Sequence, residues 1–199
     1  MDFSAIKTPK DVLEFIRTNI KYGWLDYMDK EHVGDMIGFR ASYRTSSLKE
    51  VLEHKMGSCI EQTYLMKYLL DRLDIPSRMF CIREYETDNN ITRFNVYMHC
   101  FILYSLNGKV YHIENCNLTK LGIYEYSSYE EAINSISKFF IMVSDGHWST
   151  VTEFFDVPYR MSFKELNRYM NDLDLDKEDT NNLDIDKSNV RVRKKIVWD

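Results

Sequence analysis

The sequence predicts an α+β fold in which one central helix packs on an antiparallel sheet. Segments with a helical spacing of apolar residues dominate the chain as far as Leu73, whereas residues 77–116 are rich in the aromatic and β-branched side chains that favour strands. Asn107-Gly108 lies between two of the strand-like runs. This dipeptide favours a tight hairpin turn because both of its residues tolerate positive φ.

Length and composition predict one main domain. The chain has 199 residues, of which 44% are hydrophobic and 14% aromatic, and this is enough to bury a proper core. We expect a single domain over residues 1–170 and a polar tail over 171–199. Residues 172–179 of the tail contain alternating aspartates but lack the glycine and glutamate of a calcium loop, so a solvated linker is predicted there.

Charge and cysteine content argue against several classes of partner and compartment. The formal net charge is −5 and the first basic run comes only at residues 191–195, so neither nucleic acid nor a membrane surface is expected as partner. The N-terminus does not resemble a secretion signal, and no segment approaches the roughly 18 apolar residues of a membrane span. We therefore expect a cytoplasmic protein with four reduced cysteines, and the sequence does not predict its oligomeric state.

The helices up to Pro76 are predicted from their start and stop signals. The first begins at Thr8-Pro9 and should end near residues 21–23. Residues 22–26 and 34–39 contain glycines without a clear period, and they are predicted to be loops. A capping box favours a short helix after Ser47, and the next helix begins at the cysteine of Gly57-Ser58-Cys59 and stops before the proline.

The second half of the chain is predicted to start with three strands. They span residues 77–85, 94–104 and 109–116, with a polar loop at 86–92. Two helices should follow, and they cover residues 127–140 and 162–170.

Cys59 is the first candidate functional residue, because it opens a predicted helix. The free amide groups and the dipole at a helix N-terminus favour a thiolate over a thiol. Gly57 lets the backbone turn sharply, so that the sulfur can face a cleft. Cysteine is also a common small core residue, and the position alone does not decide between the two roles. Gln62, one turn further along, is expected to lie too far from the sulfur to assist it.

His99 and Glu114 are the next candidates, because they fall on the two predicted strands that flank Asn107-Gly108. With a two-residue turn, His99 lies diagonally from Glu114 on one sheet face, and a four-residue loop places them directly opposite each other. A three-residue loop instead places Asn115 opposite His99. Both residues can orient an imidazole, so both stay open. His112 shares the face of Glu114 and is a more distant candidate base.

The residues around Cys59 resemble a block of the transglutaminase-like branch of the papain-like cysteine enzymes. In that block a glycine precedes a cysteine that opens a helix containing leucines, and a Gly-Ile-Pro-x-Arg segment follows. The matching residues are Gly57-Ser58-Cys59, Leu65, Leu69-Leu70 and Ile75-Pro76-Ser77-Arg78, with Asp74 where a glycine is common.

A second block is similar to the histidine, turn and acid of the same family, including its fifteen-residue step from histidine to acid. The resemblance covers about Tyr43 to Glu125 and extends to small uncharacterised bacterial members. The matching residues of the second block are His99, Phe101, Asn107-Gly108, Tyr111 and Glu114.

The resemblance implies a papain-like core with Cys59 as nucleophile and His99 as general base and acid. Glu114 stands in the place usually held by aspartate. The implied activity is that of a cysteine protease or related thiol hydrolase, acting on a peptide, a protein or a small amide through a thioester. Transamidation stays open beside hydrolysis. The oxyanion donors expected are the amide of Cys59 and a side chain from the upstream loops, Tyr43 or Trp24.

Two alternative functions remain at this point. A degenerate domain could use the same cleft to bind a peptide or protein, as the glutamate in place of aspartate and three aromatic residues expected to be exposed (Trp24, Phe39 and Trp148) suggest. An acyl-CoA-dependent arylamine acetyltransferase shares the order of the triad, but the arginine and paired glycines that precede its cysteine are absent. The cysteines and histidines lack the spacing of structural zinc sites, so no metal or cofactor is expected.

Overall fold

The computed structural model of the chain describes residues 2–88, 91–144, 148–175 and 190–193, with side chains over 2–84, 97–143 and 149–173. The fold is α+β, as predicted. The helices in the described ranges are α1 (Pro9–Asn19), α2 (Phe39–Ser42), α3 (Leu48–His54), α4 (Cys59–Asp71), α5 (Tyr129–Ser144) and α6 (Phe163–Leu175). The strands are β1 (Lys21–Asp26), β2 (Glu31–Val33), β3 (Tyr43–Arg44), β4 (Met56–Gly57), β5 (Ser77–Asp88), β6 (Ile91–Leu106), β7 (Lys109–Glu114), β8 (Gly122–Tyr126), β9 (Trp148–Phe154) and β10 (Val190–Arg193).

The larger sheet has six strands in the order β10-β9-β5-β6-β7-β8, and its neighbours are antiparallel except for the parallel pair of β10 and β9. Strand side chains alternate between the two faces. Cys100 and Ile102 belong to the core cluster that includes α4, whereas Phe101 and Leu103 belong to the cluster that includes α5. The cysteine-bearing helix therefore covers one face of the sheet, and α5 covers the other.

A smaller sheet forms around β1, which pairs with β2 and β3 in antiparallel fashion and with β4 in parallel fashion. The predicted loop at residues 22–26 is therefore wrong. β1 pairs with the neighbouring β2 and with β3 and β4, which lie further along the chain, and no local sequence pattern indicates the pairing with β3 and β4. The parallel pair places Tyr22 opposite Gly57, two residues before Cys59.

Local signals at the helix starts are confirmed. The N-caps Thr8, Ser47 and Ser58 each form a reciprocal capping box at the start of α1, α3 and α4 respectively. Gly57 is required by close packing, since a Cβ at this position would lie 2.8 Å from the Cβ of Glu61. The cysteine therefore begins its helix two residues after a tightly packed glycine.

The hairpin between β6 and β7 has a two-residue turn, in which Asn107 and Gly108 adopt φ of 51° and 75° and Leu106 pairs with Lys109. This is one of the even-length turns considered for the sequence. The register therefore brings Glu114, and not Asn115, onto the same sheet face as His99.

Several boundaries differ from the predictions. β5 and β6 continue to Asp88 and from Ile91, so most of the predicted loop at 86–92 is a two-stranded extension in which ladder bonds hold polar residues. β8 and β9 were not predicted. β8 pairs with β7, the strand before it, whereas β9 pairs with β5, which is distant in sequence.

The predicted domain boundary at 170/171 lies inside a helix. α6 runs to Leu175, and Val190–Arg193 of the predicted tail pairs with β9. Residues 176–189, which include half of the aspartate run considered for calcium, lie outside the described residues. Among the helices in the described ranges, none is both long and apolar enough to cross a bilayer.

Candidate active site

Cys59 is the first residue of α4, and it is 8% exposed. Its backbone N–H belongs to the first turn of the helix, where amide groups have no partner within the helix. The side chains of Ser58 and Glu61 cap this turn by bonding to each other's backbone N–H. The cap thus fixes the first turn around the sulfur.

His99 and Glu114 form the predicted pair on the sheet. Nε2 of His99 lies 2.8 Å from Oε2 of Glu114, and both side chains are buried. The other carboxylate oxygen, Oε1, accepts the backbone N–H groups of Cys116 at 2.7 Å and Asn117 at 3.0 Å. The carboxylate is therefore held from both sides with one oxygen directed at the imidazole.

The imidazole of His99 connects the carboxylate to the cysteine. A hydrogen bond joins the side chains of His99 and Cys59. Because Nε2 is engaged by Glu114, Nδ1 is the ring nitrogen left for the sulfur. The ring of Phe140 stacks on that of His99, with centroids 4.6 Å apart and 26° between the planes. Cys59, His99 and Glu114 therefore form one connected chain of side chains, as the sequence predicts.

Cys100, which the sequence places next to His99, also contacts the nucleophile. Its side chain points away from His99, as expected from strand alternation, but this is the face on which α4 lies. The Cys100 thiol and backbone N–H both donate to the sulfur of Cys59. β7 ends at Glu114, so it does not cover the edge of β6 beyond Phe101. The sulfur reaches the backbone at this open edge.

The environment of Cys59 favours the thiolate. The hydrogen bond from Cys100 lowers the pKa of Cys59 well below its usual value. Burial opposes this effect, and the hydrogen bond and charge of His99 reinforce it. A buried thiolate with these partners is the state expected of an activated cysteine.

The charges of His99 and Glu114 stabilise each other. Burial by itself would lower the pKa of His99, but the charge of the Glu114 carboxylate and the hydrogen bonds that the imidazolium donates to Cys59 and Glu114 raise it to about 10. Burial would raise the pKa of Glu114, and the positive charge of His99 instead holds it well below its usual value. The site is therefore a chain of three charges in which imidazolium lies between thiolate and carboxylate.

Asn115, the alternative partner of His99, binds elsewhere. Its Nδ2 donates to Oε1 of Gln62 at 2.7 Å, while Nε2 of Gln62 donates to the carbonyl of Gly57 at 2.9 Å. Gln62 is not an oxyanion donor, as expected, but it bonds to both halves of the site. The sequence analysis missed this link, because it depends on how α4 meets the end of β7.

Trp24 and Tyr43, the predicted oxyanion side chains, are buried and their donors are occupied. Nε1 of Trp24 donates to the carbonyl of Asp35 at 2.7 Å, and the hydroxyl of Tyr43 donates to Oε1 of Glu61 at 2.5 Å. Neither donor is directed at the space beside the sulfur. The expectation that one of them binds an oxyanion is therefore wrong for this structure.

The aromatic residues expected to be exposed do not form an open wall. Trp24 is buried and stacks on His32, and partly buried Phe39 packs against Trp24 and Tyr43. The side chain of Trp148 lies outside the described residues.

Two tyrosines that the sequence analysis did not single out lie beside the sulfur. Tyr22 and Tyr97 are 37% and 40% exposed. Burial and the negative charge of Cys59 raise the pKa of Tyr22 and raise that of Tyr97 to about 12. Tyr22 was missed because β1 was predicted to be a loop, whereas its parallel pair with β4 brings it to Gly57. Both tyrosines are partly exposed side chains close enough to Cys59 to respond to its charge.

His112, the more distant candidate base, does not reach the sulfur. It is fully buried, and its Nε2 lies 3.5 Å from Oε2 of Glu114. This contact is longer and less well aligned than that of His99, and burial lowers the pKa of His112. His112 therefore lies behind the carboxylate as a neutral ring.

The cysteines and histidines do not gather into a metal site within the part of the chain that the structure describes, where no group of three or more ligand-type residues has suitable geometry. The four cysteines are all free thiols. No protein-family model matches the chain, and no curated protein matches it. Any functional conclusion therefore depends on the geometry of the site.

Proposed function

We propose that the protein is a cysteine-dependent acyl-transfer enzyme with a transglutaminase-like, papain-like core, acting on an amide, peptide or protein substrate. One observation carries the proposal. Cys59 begins a helix and hydrogen bonds to a buried His99, whose other ring nitrogen is held at 2.8 Å by buried Glu114. This is the arrangement of nucleophile, base and orienting acid that activates thiols in enzymes.

The chemistry follows from the resting charges. The thiolate of Cys59 attacks the substrate carbonyl carbon, so that a C–S bond forms and the carbonyl oxygen becomes an oxyanion. The imidazolium of His99 gives its proton to the leaving nitrogen as the C–N bond breaks, which leaves a thioester. Neutral His99 then takes a proton from water, and the hydroxide that results attacks the thioester and releases the acid and the thiolate.

Glu114 stabilises the imidazolium and fixes its ring throughout this cycle. An amine could replace water in the second step, and the product would then be a new amide. The backbone N–H of Cys59 and the hydroxyl of Tyr22 are the donors best placed for the oxyanion. Tyr22 lies opposite Gly57, two residues before Cys59, and the negative charge of Cys59 contributes to the raised pKa of its hydroxyl.

A binding module without catalysis accounts less well for the buried charges. Holding three ionisable groups in a buried row is costly, and a peptide-binding cleft does not need it. The two observations that favoured a binding role, the exposed aromatic residues and the glutamate in place of aspartate, also lose support. Trp24 is buried rather than exposed, and Glu114 reaches the imidazole at hydrogen-bonding distance despite its extra methylene.

The direct test uses p-nitrophenyl acetate, a simple activated ester, as probe. We expect a burst of about one equivalent of p-nitrophenolate as Cys59 is acetylated, followed by slower hydrolysis of the thioester. Cys59→Ser should abolish the burst, and His99→Asn should slow it strongly. His54→Asn is the matched control, because His54 forms a similar contact with Glu31 at 2.7 Å on the surface.

Iodoacetamide labelling at pH 6, followed by peptide mapping, supplies a second measurement that needs no substrate. The thiolate of Cys59 should react before Cys81, Cys100 and Cys116, which serve as internal controls. If Cys59 reacts no faster than these thiols, or if Cys59→Ser retains the burst, the proposed function is wrong and a binding role is favoured.

A further inference from the structure

Gln62 is a buried amide in the second turn of α4, close to the nucleophile but not part of the charged chain. Its side chain is almost inaccessible to solvent. A buried amide has to satisfy both a donor and an acceptor, so the partners it takes indicate what it connects.

The closest partners of Gln62 lie on two segments that are far apart in sequence, and a longer contact of 3.5 Å joins its Nε2 to the carbonyl of Lys21. Nε2 donates to the carbonyl of Gly57 at 2.9 Å, two residues before the start of α4. Oε1 accepts Nδ2 of Asn115 at 2.7 Å and the thiol of Cys116 at 3.4 Å, in the loop that follows β7. One side chain thus joins the segment that carries the nucleophile to the segment that carries the acid.

The loop that Gln62 holds is the one that fixes Glu114. Cys116 donates its backbone N–H to Oε1 of Glu114 at 2.7 Å, and Oε2 of the same carboxylate contacts His99. A shift of this loop away from α4 would therefore move the carboxylate, and the imidazole with it, away from the sulfur. The distance between Cys59 and His99 depends on the same link.

We propose that Gln62 is a positioning residue that holds the loop after β7 against the start of α4 and so keeps the imidazole of His99 in contact with Cys59. The proposal rests on the proposed function, since it concerns the same reactive pair. Gln62 itself touches neither reacting group. It acts through Gly57 on one side and through the loop at Asn115 and Cys116 on the other.

Glutamine suits this task for a chemical reason. The amide donates from one end and accepts at the other, and it brings no charge into a site that already contains a thiolate and a carboxylate. Methionine has a similar length and volume but neither donates to a carbonyl nor accepts strongly from an amide. Gln62→Met is therefore the substitution that removes the link and preserves the packing.

The experiment measures the rate of iodoacetamide labelling of Cys59 between pH 4 and 9, whose lower inflection reports formation of the thiolate. Loosening the pair weakens the stabilisation of the thiolate by His99, so the inflection should move upward. Removing the link should shift it by about one pH unit, the effect of one or two hydrogen bonds on an ionisation. Asn115→Ala, which breaks only the outer bond, should shift it in the same direction by less.

A double variant separates positioning from general destabilisation. If the two amides act as one link, the inflection of Gln62→Met with Asn115→Ala should match that of Gln62→Met alone, because the second change then removes a bond already lost. Asn19→Ala is the control, since Asn19 makes a side-chain amide bond of 2.9 Å to the carbonyl of Phe15 in α1. It should leave the inflection unchanged.

The outcome that overturns the proposal is a fall in melting temperature without a shift of the inflection, in both Gln62→Met and Asn115→Ala. Strictly additive shifts in the double variant would likewise show that the residues do not form one link. Asn115 is partly exposed, so its variant keeps the test valid if Gln62→Met does not fold. Failure of the wild-type protein to label at Cys59 would instead contradict the proposed function.

Discussion

Two almost completely buried glutamates belong to the surroundings of Cys59, one near the start of its helix and the other behind the imidazole of His99. Glu61 lies in the N-terminal cap of α4, and Glu114 ends β7. The pKa values of the two carboxyl groups are shifted in opposite directions. Burial raises the pKa of Glu61. At Glu114 burial is opposed by the positive charge of His99 together with the contacts to the two imidazoles, and these jointly hold the pKa well below its usual value.

The opposite pKa shifts come from the charge of the hydrogen-bond partners and not from the number of partners. Glu61 accepts four hydrogen bonds from neutral donors, namely the Tyr43 hydroxyl, the Ser46 N–H and the N–H and hydroxyl of Ser58. Glu114 has a cationic ring instead. Neutral donors satisfy the lone pairs of a carboxylate without fully offsetting the cost of burying its charge, whereas an opposite charge does offset it. Glu61 therefore stabilises the fold at the start of α4, whereas Glu114 stabilises the positive charge of His99.

The largest effect is expected for Glu114→Gln. Without the carboxylate, burial should lower the pKa of His99 from about 10 to below its usual value, and Cys59 should lose its cationic partner. Labelling of Cys59 by iodoacetamide at pH 6 should fall roughly a hundredfold, as for a rise of about two units in the pKa of the thiol. Glu31→Gln, which removes the surface partner of His54, should leave the rate unchanged. A similar loss in both variants would contradict the assignment.

The corresponding change in the cap, Glu61→Gln, should act on folding instead. The new amide places an NH₂ group against donors that now meet a carboxylate, so the free energy of unfolding should fall by about 2 kcal/mol. The rate at which iodoacetamide labels Cys59 should stay the same or increase slightly, because a negative charge near the sulfur has been removed. Urea denaturation measures the change in stability, and the labelling rate measures the reactivity of Cys59. A loss of labelling as large as that of Glu114→Gln would erase the distinction between the two regions.

The two glutamates should also give opposite pH dependence of stability. The pKa of Glu61 is raised, so its contribution is fully present below the usual glutamate value and is lost as pH rises through the folded value. The pKa of Glu114 is lowered, so its contribution is present above the usual value and is lost as pH falls through the folded value.

Unfolding measured from acid to neutral pH tests this. Glu61→Gln should flatten the decline of stability as pH increases above the usual glutamate range, and Glu114→Gln should flatten the loss on acidification. The raised pKa of His99 adds a contribution that is fully present below its usual value and is lost as pH rises through about 10, and Glu114→Gln should remove it. Curves of the same shape for both variants would refute the comparison.

The smallest effect is expected for Tyr43→Phe, which removes one neutral donor from Glu61. The free energy of unfolding should fall by about 1 kcal/mol, the net contribution of a hydrogen bond to a buried acceptor. The p-nitrophenolate burst should persist, since this hydroxyl does not face the sulfur. Tyr22→Phe should instead slow the burst and leave stability nearly unchanged. The reverse result for the two tyrosines would restore Tyr43 as an oxyanion donor.

Local signals explain which parts of the site could be predicted from the sequence. The start of α4 at Cys59 follows from Gly57 and the capping residues, and the pairing of His99 with Glu114 follows from the parity of the Asn107-Gly108 turn. Each of these depends on a few neighbouring residues. The triad therefore emerges from short-range rules applied at two places in the chain.

The parts that were missed depend on contacts between distant segments. The strand containing Tyr22 exists because three other strands pair with it, and the roles of Gln62 and Cys100 depend on where α4 meets the end of β7. Trp24 and Tyr43 were assigned to the cleft because aromatic residues in presumed loops were expected to line it. Their donors instead satisfy Asp35 and Glu61 inside the fold.

The hairpin that aligns Glu114 with His99 also offers a site for attaching a fluorophore or a surface tether. Its tip, residues 106–109, is exposed and lies at the other end of the β6–β7 ribbon from His99. Leu106 follows His99 by seven positions along β6, which corresponds to about 23 Å at the usual rise of a strand. A fluorophore or surface tether fixed at Lys109 would therefore leave the thiol accessible to any ligand screened against it.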